Sequence, residues 1–104
     1  MILLTKKVLN DFAKVGDTSE KQAKDINVVA KFFLPGKVAT WYVAEYNPET
    51  GEMFGYAELV PGCGELGYFN FNEIKELRGM FGLPLERDRH FEATLQEVID
   101  REQR

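Results

Sequence analysis

Residues 86–91 have the side-chain types and the spacing that could support chemistry, in the order Glu-Arg-Asp-Arg-His-Phe. Because side chains alternate between the two faces of a β-strand, an extended segment here places Glu86, Asp88 and His90 on one face and the two arginines on the other. Two carboxylates and an imidazole on one face could bind a divalent metal ion or share acid–base work. A salt-bridged edge strand and a strand that binds a partner have the same pattern, so all three interpretations stay open.

Aromatic residues are concentrated in the predicted strands, where they occupy both alternating sets of positions. Trp41 and Tyr42 are adjacent and must face opposite sides of a sheet. Either other elements cover both faces, or one aromatic face is exposed for binding. An exposed face could stack single-stranded bases, with Lys31, Arg87 and Arg89 supplying positive charge. The aromatic positions are Phe32, Phe33, Trp41, Tyr42, Tyr46, Phe54, Tyr56, Tyr68, Phe69 and Phe71.

The sequence gives little support to other kinds of catalysis. Cys63 lies between two glycines in a predicted turn, but a nucleophile needs a base, and nothing places the single histidine near it. The chain has no paired cysteines, no His-x-x-x-His or Gly-x-Ser-x-Gly element and no phosphate-binding glycine loop. We therefore predict no catalytic residues, no metal and no cofactor. A metal-dependent hydrolase that uses Glu86, Asp88 and His90 remains the enzymatic alternative.

The elements that must position these residues predict an α+β fold. An apolar stripe behind Thr5 predicts an N-terminal helix that ends at Gly16, followed by a polar surface loop over residues 17–25. Three short runs rich in β-branched and aromatic residues lie between residues 26 and 60, separated by turns with Pro and Gly. Their short connections indicate an antiparallel meander, because parallel neighbours need a long crossover.

The remainder of the chain predicts two further strands and two further helices. Residues 65–69 and 85–91 have strand character, and Asn72 is placed to cap a middle helix that ends before a left-handed Gly79. The apolar residues 80–84 are expected to lie against the core. A narrow apolar stripe near the end predicts a C-terminal helix. The expected architecture is a four- or five-stranded, mainly antiparallel sheet with N-terminal, middle and C-terminal helices.

Composition limits the class of protein. The chain has 104 residues, of which 44% are hydrophobic and 12% aromatic, too apolar for a disordered chain; we expect a single domain over residues 1–104. No apolar run is long enough to span a membrane, and the N-terminus lacks the order of a signal peptide. A single cysteine cannot form an internal disulfide, so we expect a cytoplasmic protein. The formal net charge of -4 disfavours nucleic acid as a partner.

Several short strings follow one another along most of the chain in a familiar order. They are Leu3-Leu4-Thr5-Lys6, Val28-Val29-Ala30-Lys31-Phe32-Phe33 with Pro35-Gly36, Thr40-Trp41-Tyr42-Val43 with Glu45, Phe54-Gly55-Tyr56, Glu65-Leu66-Gly67-Tyr68-Phe69, and Arg78-Gly79 leading to Gly82-Leu83-Pro84-Leu85-Glu86-Arg87-Asp88 and Phe91. Together they resemble the bacterial domain of unknown function family 2958. Residues 17–24 depart from it, because the family often has a proline-rich or tyrosine-containing stretch there.

The resemblance implies a small bacterial protein of the kind often encoded on plasmids and other mobile elements, and it implies no activity. Our leading hypothesis is a non-enzymatic accessory protein that binds a protein partner, such as a host-defence or DNA-processing component. A single-stranded nucleic-acid-binding module is the alternative binding hypothesis. The resemblance gives weight to a set of candidate binding residues. They are Lys31, Trp41, Glu45, Glu65, Tyr68, Arg78, Glu86, Arg87 and Asp88.

Overall fold

The computed structural model describes residues 2–102, which form five β-strands and three α-helices. The helices are α1 (Lys6–Val15), α2 (Phe71–Ile74) and α3 (Leu95–Glu102). The strands are β1 (Ala30–Phe33), β2 (Thr40–Tyr46), β3 (Glu52–Glu58), β4 (Glu65–Asn70) and β5 (Glu86–Asp88). Short 3₁₀ turns occur at Ala23–Asp25 and Met80–Gly82. Within the described residues, no helix is long and apolar enough to cross a membrane.

The strands form one antiparallel sheet in the order β4-β3-β2-β1-β5, which confirms the α+β prediction. The first four strands make the expected meander, and β5 returns to pair with β1. The register between β2 and β3 shifts between Val43 and Glu45, so this central pair contains a β-bulge. In this strand order, the outermost strands of the sheet are β4 and β5.

Each face of the sheet has its own hydrophobic core, and this explains why aromatic residues occupy both alternating sets of positions. On the first face, which we call the α1 face, Trp41 and its neighbours pack against α1 and α2. The buried residues there are Val8, Phe12, Ala30, Phe32, Leu34, Trp41, Val43, Met53, Phe71, Ile74 and Leu85. On the second face, the α3 face, Tyr42 and Tyr56 pack against α3. The buried residues there are Ile26, Val28, Tyr42, Ala44, Tyr56, Leu95 and Val98.

The N-terminal helix agrees with its prediction, whereas the middle helix differs in position. The Val8 backbone N–H donates to the Thr5 hydroxyl at 3.3 Å, as a capping residue requires. The middle helix begins at Phe71, because Asn70 caps it by accepting a bond from the Asn72 backbone N–H at 2.8 Å. The expectation that Asn72 is the cap was therefore wrong, and the helix is only four residues long and ends at Ile74.

Gly79 is also not the left-handed residue that we expected, since its φ is -86° and its ψ is -158°. Glycine is required there for a different reason. A Cβ at this position would lie 2.5 Å from the carbonyl oxygen of Pro35. The close approach joins two loops that are far apart in the chain, and no local sequence pattern reports it.

Candidate functional site

The predicted site residues do not converge on one site. Trp41 lies in the core of the α1 face and is 3% exposed. One carboxylate oxygen of Glu45 accepts bonds from the backbone N–H of Thr18, at 3.1 Å, and from the Thr18 hydroxyl. Thr18 is itself buried, so Glu45 attaches the loop of residues 17–25 to the sheet. The structure thus gives Trp41 and Glu45 packing and anchoring contacts.

Lys31 and Asp88 lie opposite each other in the pairing of β1 with β5. The Lys31 Nζ lies 5.5 Å from the ring centroid of Tyr42 and 5.1 Å from that of Phe91. An ammonium group at such a distance from two rings makes cation–π interactions. Lys31 therefore helps to hold Phe91 against the α3 face.

Glu86, Asp88 and His90 do not form the shared face that strand alternation predicts. The strand ends at Asp88, whose carboxylate accepts a bond from the His90 backbone N–H at 3.0 Å in a turn. Because the turn ends the alternation, His90 no longer follows the two carboxylates. Within residues 2–102, no group of three or more His, Cys, Asp or Glu side chains could hold a metal ion. The metal-dependent hydrolase hypothesis therefore loses its geometric basis.

A cleft of about 840 Å³ lies between α1 and residues 87–92, and Arg87 and Asp88 both line it. Its other charged groups have both signs, and Lys7 and Asp11 form an ion pair of 2.9 Å across one turn of α1. Such surface pairs contribute little to stability. Glu45 and Tyr68 instead line a second cleft of about 460 Å³ near the end of α1.

The α3 face contains a buried polar cluster that sequence reasoning missed. The Tyr42 hydroxyl donates to a Glu102 carboxylate oxygen at 3.0 Å. Glu58 is only 7% exposed; burial raises its pKa, and the neighbouring Glu102 carboxylate raises it further. Burial also raises the pKa of Tyr42, with Glu102 as the next cause. The raised pKa favours the protonated form of Glu58 relative to a free glutamate, and in that form Glu58 can donate a hydrogen bond to Glu102.

The same cluster includes polar atoms without partners. The Tyr56 hydroxyl and one carboxylate oxygen of Glu58 are buried and have no hydrogen-bond partner among the described residues. A signal for Glu58 is present in the sequence, because it is two residues after Tyr56 in a strand and so shares its face. Its residues on the sheet, Tyr42, Tyr56 and Glu58, are each 7% exposed or less, so we assign the cluster a role in stability.

The most exposed apolar segment is residues 77–83, which we call the Phe81 loop. Phe81 is 92% exposed, and its backbone has a φ of 58°, the single positive value at a non-glycine residue within residues 2–102. Leu77, Met80 and Leu83 in the same loop are exposed as well. The expectation that residues 80–84 lie against the core was therefore wrong, because all five are exposed. The next residue, Gly82, also has a positive φ, so the chain reverses and turns Phe81 outward.

The Phe81 loop is tied to the rest of the protein by backbone hydrogen bonds. The Met80 N–H donates to the Pro35 carbonyl at 2.8 Å, and the Gly79 N–H donates to the Leu83 carbonyl at 2.7 Å. One guanidinium nitrogen of Arg78 donates to the carbonyls of Leu77 and Lys75, at 3.0 and 3.3 Å. The first bond connects the loop to Pro35, and Arg78 contacts the backbone of residues 75 and 77.

The fold and these surfaces define an α+β protein with a hydrophobic core on each face of an antiparallel sheet and an exposed apolar loop. Residues 3–99 match a family model described as Protein of unknown function (DUF2958), and the chain belongs to that family. The resemblance read from the sequence strings is thereby confirmed. No match was found among curated proteins or among solved structures.

Proposed function

We propose that this protein is a non-enzymatic binding protein that inserts Phe81 into an apolar pocket of a protein partner. The observation that carries the proposal is the combination of 92% exposure with a positive φ at the same residue. A side chain of this size in a left-handed backbone costs on the order of 1–3 kcal/mol. The free protein bears that cost and also exposes an aromatic ring to water, so the arrangement is useful where a partner covers the ring.

Preorganisation supports the same proposal. Aromatic side chains that fill a pocket dominate the binding energy of many protein interfaces. The hydrogen bonds at Gly79 and Met80 hold the loop in shape before binding, which lowers the entropy that association must lose. Leu77, Met80 and Leu83 supply an apolar rim around the ring. An accessory role on a mobile element remains part of the proposal and derives from the family resemblance alone.

The covered sheet makes a nucleic-acid module the weaker alternative. Half of the ten aromatic rings are buried, including Phe32, Trp41 and Tyr42, and so cannot stack on bases, and four others are half-buried. Tyr68 is the main exception at 70% exposed, and its ring lies 5.1 Å from that of Phe54. One exposed tyrosine without a basic groove offers little surface for binding single-stranded nucleic acid.

Site-specific photocrosslinking in a bacterium that naturally encodes the protein tests the proposal. A benzophenone side chain at position 81 should give one discrete protein adduct, whereas the same group at position 9, an exposed apolar position on α1, should not. Competition with unlabelled Phe81→Asn protein should leave the adduct, and competition with wild type should remove it. Identical adducts at both positions, transfer only to lipid, or no adduct would each contradict the proposal.

The variant Phe81→Asn also separates binding from stability. Asparagine tolerates the left-handed region better than phenylalanine, so the free energy of unfolding should stay equal or rise by about 1 kcal/mol. If Phe81 had a purely structural role, its replacement would instead lower the free energy of unfolding. Chemical denaturation of the two proteins, measured beside the crosslinking competition, gives both results on one pair of samples.

A further inference from the structure

The free edge of β4 is unusually open for an exposed strand. The strand has six residues and, after the exposed Glu65 at its start, it contains no charged residue, no proline and no register shift. Natural edge strands commonly use such devices to prevent pairing with another chain. Leu66 and Tyr68 are 47% and 70% exposed and, opposite Tyr56 and Phe54 in the register, they share one face.

The direction of the backbone groups on β4 follows from one hydrogen bond. The Phe71 N–H donates to the Gly51 carbonyl at 2.8 Å, at the end of the pairing of β4 with β3. Because hydrogen-bonded and non-hydrogen-bonded pairs alternate in an antiparallel ladder, Phe69 and Gly67 also direct their backbone groups toward β3. The N–H and C=O groups of Leu66 and Tyr68 therefore point to the free edge, on the same two residues whose side chains are exposed.

Neither the backbone conformation nor the packing within one copy requires a glycine at position 67, between them. Its φ is not positive, and a Cβ built there would have no atom within 4 Å. Glycine weakens the interior of a strand, and its presence often marks the close approach of another backbone. By contrast, Gly55, the residue that pairs with Gly67 on β3, has no space for a side chain.

We infer that two copies of this protein associate by antiparallel pairing of their β4 strands around a two-fold axis at Gly67. In this register Leu66 of each copy lies opposite Tyr68 of the other, so both apolar side chains are covered. The outward backbone groups of these residues pair as well, with two hydrogen bonds in each of the two Leu66–Tyr68 pairs.

The register is compatible with the charges of the edge. Glu65 of one copy lies opposite Phe69 of the other, so no like charges face each other across the axis. Gly67 faces Gly67 of the second copy as a non-hydrogen-bonded pair, the kind with the shorter Cα separation. The two five-stranded sheets become one continuous sheet of ten strands. The other outer strand, β5, has only three residues, all charged, and it does not offer an equivalent edge.

Sedimentation equilibrium of the full chain tests this inference with no other partner present. The weight-average mass of the wild type should rise from 11.9 kDa toward twice that value as its concentration increases. The variant Leu66→Lys/Tyr68→Lys places like charges opposite each other and should stay at 11.9 kDa. A matched variant, Leu59→Lys/Val60→Lys, changes two exposed residues of the same hairpin outside β4 and should still associate.

A charge-reversal mixture gives a result that simple unfolding cannot imitate. Leu66→Glu/Tyr68→Glu should be monomeric alone, but mixed with the lysine variant it should form a heterodimer, since opposite charges then face each other. Hydrogen exchange on the wild type needs no mutation: the amides of Leu66 and Tyr68 should exchange more slowly as concentration rises. A concentration-independent 11.9 kDa mass, or undiminished association in the lysine variant, would overturn the inference. Neither result depends on the Phe81 loop.

Discussion

The two faces of the sheet differ in the polar groups that they bury. The buried core residues of the α1 face are apolar, although Arg87 lies on that face opposite Phe32, whereas the α3 face encloses two tyrosine hydroxyls and the Glu58 carboxyl. The Tyr42 hydroxyl has a partner in Glu102, and the Tyr56 hydroxyl has none among the described residues. Buried polar groups are costly unless they are paired. The α3 face therefore contains a buried carboxyl, Glu58, whose protonation affects stability.

The largest expected effect is on the α1 face. Trp41→Ala should lower the free energy of unfolding by about 3–5 kcal/mol, because it removes a fully packed ring and leaves a cavity. Denaturant titration measures the loss. Tyr68→Ala on the outer strand is the matched aromatic control, and it should cost about 1 kcal/mol or less when the protein is dilute. Equal losses in both variants would contradict the assignment of Trp41 to the core.

The next effect tests how tightly the α3 face is packed. A Cβ at Gly64 would lie 2.2 Å from the ring of Tyr56, which is 1% exposed. Gly64→Ala must displace that ring and should lower the free energy of unfolding by about 1–3 kcal/mol. The adjacent, exposed Cys63→Ala should leave it nearly unchanged. Full stability in Gly64→Ala would show that the ring can move freely.

Removal of the two buried hydroxyls should give changes of opposite sign. Tyr42→Phe breaks the bond to Glu102 and should cost about 1 kcal/mol. Tyr56→Phe removes a hydroxyl without a partner and should be neutral or stabilising by up to about 1 kcal/mol. The pair of unfolding free energies, measured at one pH, is the test. A loss of the same size in both variants would mean that the Tyr56 hydroxyl has a water partner.

The smallest effect is a pH dependence. Because the pKa of Glu58 is raised in the folded protein above the ordinary value of 4.5, the folded state binds more protons than the unfolded state between the two pKa values. The stability contributed by neutral Glu58 is therefore complete below pH 4.5 and is lost as the pH rises through the folded pKa.

The variant Glu58→Gln isolates this dependence, because glutamine stays neutral. Unfolding titrations at successive pH values should show a decline for the wild type that is smaller in Glu58→Gln. Glu73→Gln, an exposed acid at the start of α2, is the control and should keep the wild-type profile. Parallel profiles in the wild type and Glu58→Gln would contradict the raised pKa.

Local sequence patterns predicted most of the helices and strands. The predictions were wrong where the structure depends on contacts between residues that are far apart in the chain. The capped α1, the meander and the α+β fold follow from residues that are neighbours in the chain, such as Thr5 with Val8. The middle helix was misplaced because Asn70 and Asn72 both qualify as caps by composition, and only the turn at the end of β4 selects Asn70. The shared face of Glu86, Asp88 and His90 was predicted wrongly because the strand β5 ends at Asp88, and its extent depends on its pairing with β1.

The exposed surfaces also depend on contacts that local sequence patterns do not predict. Phe81 lies in an apolar stretch that suggests burial, and only its bonds with Pro35 and the backbone reversal at Gly82 turn the ring outward. The sequence strings shared with the family did not predict the exposed surfaces, because several of their residues, such as Trp41 and Glu45, make packing and anchoring contacts.

By itself, the sequence determined the class of fold, the order of its strands along the chain and the family. These depend on composition, periodicity and turn residues, which act over a few positions. Only the tertiary structure decided which strand edge remains free, which aromatic rings are covered and how deeply Glu58 is buried. Those properties arise from contacts between residues that are far apart in the chain, and the free energy of such contacts is determined by burial in three dimensions.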